Sequence, residues 1–274
     1  MAGSSTTTEA PGGFHRLRTF GRCRAARSAC RSFEPRCGGP LIFVSLNPDG
    51  ASLFDQLGPL MQVCDEFPGD RWRQADKWSY DFPANWKVVV ENTVEAYHVP
   101  TVHPHSLVSF GTEEEIEHEL HPWCSIMRSP IVSSAAYRRI SDWLLPILQP
   151  GCTHQYRLHH GFPHLFLIRI DAMFQVMTVL PTSPETCHLT VHVFTLRAAK
   201  ETFGSRLVTR GWGMLKTSIV RRVLAEDARL YPDLQRGMKV SPFQGTISTL
   251  EELVYGFQGY VQRTCGLSSD EESG

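Results

Sequence analysis

Charge of one sign is what this sequence has least of. Its 27 lysines and arginines face 28 aspartates and glutamates, a formal net charge of −1. Such a balance gives no basis for recruiting nucleic acid or an anionic membrane. Long apolar runs are also missing. No stretch approaches the length that spans a bilayer and no secretory h-region is present, so no membrane association and a cytoplasmic location are expected. The 8 cysteines are scattered through 274 residues, a chain too large to need staples, and read as reduced thiols in an intracellular protein. Cys23, Cys30 and Cys37 match no metal signature in their spacing, and the helical zinc motif H-E-x-x-H does not occur.

What the chain does have is 42% hydrophobic residues, enough for a full core in one large domain. Its most informative stretch is Asn85 to Pro104, NWKVVVENTVEAYHVPTVHP. Trp86, Val88, Val89 and Val90 supply an apolar side, while Glu91, Asn92, Glu95 and His98 follow at steps of three and four, one face of a helix. Pro83 suits the approach to a helix and Pro100 cannot continue one. The expected helix therefore ends after His98, and the following turn swings His103 back toward the same point. Two histidines and an acid gathered in this way suit a divalent metal. Iron in a facial triad, zinc, and two ordinary histidines capping a core helix all remain open on spacing alone.

Asn85-Trp86-Lys87, Glu91-Asn92, Glu95-Ala96-Tyr97-His98 and His103-Pro104 together resemble the iron-binding motif of Rieske-type oxygenases. More narrowly, they resemble the catalytic domain of aromatic-ring-hydroxylating dioxygenase α subunits. The resemblance implies that His98 and His103 bind mononuclear Fe(II). It gives Glu95 a catalytic role, relaying electrons from the Rieske cluster of a neighbouring subunit or orienting His98. Asn92 and Tyr97 are neighbours of lower standing.

The same resemblance covers roughly residues 39 to 264. Leu41 to Leu46 is a short strand closed by the turn Asn47-Pro48-Asp49-Gly50, similar to the last strand of the family's Rieske domain and its exit. That domain binds [2Fe–2S] through Cys-x-His and Cys-x-x-His. Nothing upstream of Gly39 supplies either half, and Cys152-Thr153-His154 lies past the iron motif without a second half. The [2Fe–2S] ligands expected of the family are thus absent. Residues 1–38 are instead Gly/Ser/Thr-rich and then arginine-rich, with only Glu9 and Glu34 as acids. They read as a disordered or atypical segment, or as an organelle transit peptide.

Ser52 to Phe67 reads as a helix capped by Ser52, Trp78 to Phe82 as a strand, and Tyr137 to Leu148 as a short helix stopped by Pro146 and Pro150. The run Glu113, Glu114, Glu115, Glu117 and Glu119 reads as a solvated loop and strand edge. His154–His159, Leu165–Ile170, Met173–Leu180 and Cys187–Leu196 are strands with short turns, an antiparallel meander. Their histidines are assigned to no metal, and Phe162, Phe166 and Phe174 are read as core. Gly204 to about Arg236 is one long amphipathic helix, and Ser248 to Gln262 a last one. Glu226-Asp227, followed by Gln235-Arg236-Gly237, resembles the family's acid pair, so the third iron ligand falls on Asp227 with Glu226 as runner-up.

The expected fold is α+β of the helix-grip kind, a curved antiparallel sheet around a long C-terminal helix. The expected units are 1–38, a Rieske remnant at 39–50, the catalytic domain at 51–266 and a disordered tail at 267–274. The expected enzyme is a Rieske-type ring-hydroxylating oxygenase acting on a small organic, aromatic substrate with O2. A reductase or ferredoxin would supply electrons through a Rieske partner, in a homo- or hetero-trimer. Oxidation of a quaternary amine, as by choline monooxygenase, and a catalytically incomplete helix-grip binding protein are the alternatives.

Overall fold

A computed structural model describes residues 71–106, 109–150, 154–242 and 245–267, with shorter pieces at 36–38, 41–44, 52, 55, 57–65 and 67. The N-terminal segment before 36, the turn at 47–50 and the tail from 268 lie outside the described residues.

The sheet forms where branched and aromatic residues alternate. Strands β3 (Trp72–Phe82), β4 (Ser109–Phe110), β5 (Glu117–His121), β6 (Cys124–Val132), β7 (Gln155–Gly161), β8 (Leu165–Ile170), β9 (Met173–Ser183) and β10 (Thr186–Leu196) build one sheet. Its order is β3-β10-β9-β8-β7-β6-β4, with β5 also on β6, and every pairing is antiparallel. β7 to β10 are the expected meander, β6 extends it beside β7 as a strand that was not expected, and β3 closes it against β10. A separate hairpin joins β1 (Arg36–Gly38) to β2 (Leu41–Phe43), so the expected strand is found in its first half.

Both faces of the sheet are covered. On one, Val88, Val89, Val90, Leu224, Leu253 and Phe257 pack on Leu158, Phe166, Leu189 and Val191. On the other, Leu60, Phe67, Trp72, Leu145, Phe174 and Trp212 form a second core, with Phe67 stacked on Phe174 at 4.2 Å. Phe166 and Phe174 are therefore core residues, as read. The helices are α1 (Leu60–Asp65), α2 (Trp86–Val94), α3 (Val99–Val102), α4 (Ala135–Leu148), α5 (Phe203–Ala228), α6 (Tyr231–Val240) and α7 (Glu252–Cys265). Gly213 lets α5 lie close on the sheet, because a Cβ there would stand 3.0 Å from the Ala75 Cβ. Among the described residues no helix is long and apolar enough to cross a membrane.

Three helix boundaries differ from expectation, two of them at prolines. α2 ends at Val94, not after His98, because the Pro100 ring would clash with the carbonyl of Ala96 in a continuous helix. Pro100 instead sits in the first turn of α3, where a missing N–H costs nothing. The long helix divides likewise: α5 stops at Ala228, the residue whose carbonyl Pro232 would meet, and Pro232 opens α6. α4 ends at Leu148 as expected, with Pro146 in its last turn. Ser52 does accept a bond from the Asp55 N–H (3.1 Å), but Gly58, at φ +46°, turns the chain before α1.

Two of the strand histidines give the fold a pH dependence. His159 and His160 are buried, and burial lowers their pKa from 6.5 to about 4 and about 3. The His160 Nε2–H donates to the Pro163 carbonyl (3.1 Å), and its ring stacks on Phe166 at 4.5 Å. Folded-state values below the unfolded one mean stability that is complete above pH 6.5 and lost as pH falls toward 4 and 3. The expected loss by pH 5 is about 2 kcal/mol for each histidine. Urea midpoints between pH 7.5 and 5 check this, and a flat profile would contradict it.

Candidate metal centre

The metal motif is assembled where α2 breaks. Asn85 caps that helix by accepting the Lys87 N–H (2.9 Å), and Val88, Val89, Val90 and Val94 anchor it in the core. At Glu95 the backbone turns extended, and its carboxylate reaches forward to accept from the His98 N–H (3.1 Å) and from His98 Nδ1. His98 is the N-cap of α3 and His103 its C-cap, the latter's N–H returning to the Val99 carbonyl (3.0 Å). A four-residue helix thus separates the two imidazoles and lets them face one point, with ring planes at 75°.

Asp227 arrives from the last turn of α5. Its Oδ1 lies 3.5 Å from His98 Nε2 and 2.9 Å from His103 Nε2, and one ligand atom from each residue falls within 4.8 Å of the others. Among the described residues, no other set of three such side chains comes together. The runner-up Glu226 points elsewhere. Its Oε2 accepts from His103 Nδ1 (2.9 Å) and from Ser106, and Arg222 Nε donates to its Oε1 (3.2 Å). Each imidazole therefore has an acid at Nδ1, which fixes the proton there and turns a bare Nε2 inward. Burial favours neutral His103, but the Asp227 and Glu226 carboxylates outweigh it and raise its pKa.

His103 Nε2 and Asp227 Oδ1 are both buried and face each other at 2.9 Å outside hydrogen-bond geometry, with His98 Nε2 3.5 Å from the same oxygen. A buried polar atom without a hydrogen bond calls for an explanation, and a bound cation is one. Two neutral imidazoles and one carboxylate, each held by an outer acid or by its helix, could hold a divalent cation. Glu91, expected on the same face, turns away to accept from the Gln258 amide (3.1 Å), and Tyr97 is 68% exposed.

A cavity of about 130 Å³ opens from these groups. Its walls are largely Met127, Ile168, Met173, Met177, Val220 and Val223, with Asn92 beside the metal residues and Tyr137, Gln175 and Lys216 elsewhere on the wall. Neither Phe162, Phe166 nor Phe174 lines it. Sequence reading missed Ser106, Lys216 and the buried Tyr231, whose phenol is pushed up by burial and then by the Asp227 charge. Lys216 alone left a trace, a lysine on the apolar stripe of α5.

Residues 69–267 match the family of ring hydroxylating alpha subunits, in its catalytic domain. The chain belongs to that family. A stretch of 77 residues, 27% of this ring-hydroxylating α-subunit chain, is 34% identical to the 2-halobenzoate 1,2-dioxygenase large subunit of Burkholderia cepacia, of which it covers 17%. The fold is shared with a quaternary ammonium Rieske monooxygenase solved with an inhibitor (18% identity, TM-score 0.63, 84% of this chain and 61% of that one). It is shared also with dicamba monooxygenase bound to 3,6-dichlorosalicylic acid (12% identity, TM-score 0.51, 73% and 61%). The chain thus spans less than two thirds of the length of these relatives.

Proposed function

We propose that this chain is the catalytic domain, residues 51–266, of an oxygenase that hydroxylates a small organic substrate at a mononuclear Fe(II) held by His98, His103 and Asp227. The observation that carries this reading is the convergence of His98, His103 and Asp227, one ligand atom of each within 4.8 Å of the others, at the head of an apolar cavity. The donor set is the two-histidine, one-carboxylate set of non-haem iron sites, which leaves positions for O2 and substrate. Iron bound there supplies O2 activation; the overall reaction is R–H + O2 + two electrons + two protons to R–OH + water. NAD(P)H is the source of the electrons, passed through a reductase and the Rieske [2Fe–2S] cluster of a partner subunit. Residues 39–50, which include β2, are read as the remnant of such a cluster domain, and a trimer as the assembly that brings the partner close.

The chain's own residues have separable tasks. Glu95 and Glu226 hold the Nδ1 protons of His98 and His103, keeping both Nε2 atoms toward the metal. Val220, Val223, Met173 and Met177 exclude water beside it. A quaternary amine would want an aromatic cage, and only Tyr137 and Tyr156 bring aromatic rings to the cavity wall. A binding protein without metal has no need of two histidines and a carboxylate brought within 4.8 Å of one another.

The test uses peroxide to bypass electron delivery, since R–H + H2O2 gives R–OH + water. Iron-loaded chain with benzoate and 18O-labelled peroxide is expected to yield labelled hydroxybenzoate, and His103→Ala none. With NAD(P)H and reductase, turnover is expected only when a Rieske-containing relative is added. Iron bound without labelled product, or NAD(P)H-driven turnover by the chain alone, would overturn the respective half of the reading.

A further inference from the structure

One row of the sheet collects cations. Arg128 of β6 lies opposite Arg157 of β7, and Arg157 lies opposite Arg169 of β8. Residues paired across antiparallel strands point to the same face, with Cβ atoms about 5 Å apart. Three guanidinium side chains therefore stand abreast over about 10 Å of sheet. All three are partly buried, and none of them lines the cavity. Like charges placed directly opposite each other destabilise a sheet, so both contacts in this row oppose folding.

Among the described residues the nearby acids do not cancel this charge. Glu117 lies opposite Arg128, and Arg128 donates to Glu119, which also meets His121 at 3.5 Å. Both acids stand at the outer end of the row. Past Arg169 the row runs into Phe174 and Phe194, packed in the second core. Gln149, its amide turned to satisfy both neighbours, accepts from Arg169 (3.3 Å) and donates to the Asp171 carbonyl (3.0 Å). Arg157, in the middle, donates to the neutral Gln155 (3.0 Å). His159, two residues along β7 on the same face, registers the balance. Burial lowers its pKa most, Arg128 and Arg157 lower it further, and Glu119 raises it by less than either. The field beside Arg157 is positive.

We propose that Arg128, Arg157 and Arg169 form a binding site for a phosphate group, centred on Arg157 and away from the metal residues. Arg128 and Arg157 each carry five N–H donors and use one on Glu119 and one on Gln155, so an oxyanion binds without breaking either contact. A guanidinium presents a planar fork that oxyanions accept from in pairs. Phosphate offers acceptor oxygens in several directions to donors arriving from three strands, whereas a carboxylate offers two oxygens in one plane. An anion between neighbouring guanidiniums also turns their repulsion into shared attraction.

Calorimetry and thermal melts of the purified chain with inorganic phosphate, ADP and acetate test this, at an ionic strength held constant with chloride. Phosphate is expected to bind saturably and raise the melting temperature, and acetate to bind at least about tenfold more weakly, the scale of one charge-assisted hydrogen bond. Arg157→Gln is expected to weaken phosphate by at least about tenfold as well. Without phosphate it should melt no lower than the native chain, because it removes a repulsion, whereas loss of a purely structural arginine lowers the melt. Arg139→Gln, on the exposed side of α4, is expected to change neither reading. Should Arg157→Gln fail to fold, Arg128→Gln replaces it with the same expected loss of phosphate. Tighter binding of ADP than of phosphate identifies a phosphoester as the source, and equal or weaker binding the free ion; both uphold the site. Phosphate that binds without saturation or no more tightly than acetate, or unchanged binding in the folded arginine variants, would overturn the proposal. Binding of an acidic peptide in place of phosphate would overturn it too, and mark a contact with protein.

Discussion

Replacing His103 by alanine is expected to abolish iron binding while leaving the domain folded. The native chain should take up about one iron, as a facial set of two histidines and one carboxylate does. Alanine removes a first ligand, so the expected loss exceeds the roughly 10–100-fold that follows removal of an outer partner. The fold should survive. Glu226 keeps Ser106 and Arg222, and α2 keeps its valine anchors. His98→Ala and Asp227→Ala should behave alike, although Asp227→Ala also removes the carboxylate that raises the His103 pKa. Iron analysis beside a thermal melt checks the set. Full iron retention in both the His98→Ala and His103→Ala proteins would sink the assignment, and preferential retention of zinc would reopen the choice of metal.

The convergence of His98 and His103 was legible because their geometry is local. Glu95, His98 and His103 lie within nine positions, and α3 alone sets their relation. Pro100 was read as a stop when it opens α3, and Pro232, which opens α6, was passed over. A missing N–H excludes a residue from a helix interior and suits it to a first turn, and the sequence alone does not say which applies. Asp227 and Glu226 are neighbours about 100° apart on α5, so only the docked helix decides which faces His103 Nε2 and which His103 Nδ1. The cavity was not legible at all. Its walls come from β6, β7, β8, β9, α2, α3, α4 and α5, and the phenylalanines of β8 and β9 are core. Lys216 breaks the pattern of its stripe, and such a break becomes meaningful only once Asp171, forty-five positions upstream, is seen behind it.

Glu95 separates from the ligands by what its loss should spare. Its carboxylate binds His98 twice, at the backbone N–H and at Nδ1, and reaches neither His98 Nε2 nor Asp227. Glu95→Gln keeps the size and an acceptor oxygen for the Nδ1 proton but removes the charge. Iron affinity is then expected to fall by about tenfold at most, whereas oxygenation driven by a Rieske partner falls by about a hundredfold, the upper range for outer partners. The peroxide reaction isolates the cause, since it needs the metal and the cavity but no electron delivery. If Glu95 serves the electron path, Glu95→Gln should retain most peroxide-driven product while losing NAD(P)H-driven turnover. If it serves only to orient His98, both reactions should fall together, and Glu226→Gln should match them through His103. Loss of iron as complete as in His98→Ala would instead place the Glu95 carboxylate on the metal, and the turn between α2 and α3 would then have to swing it past the His98 ring.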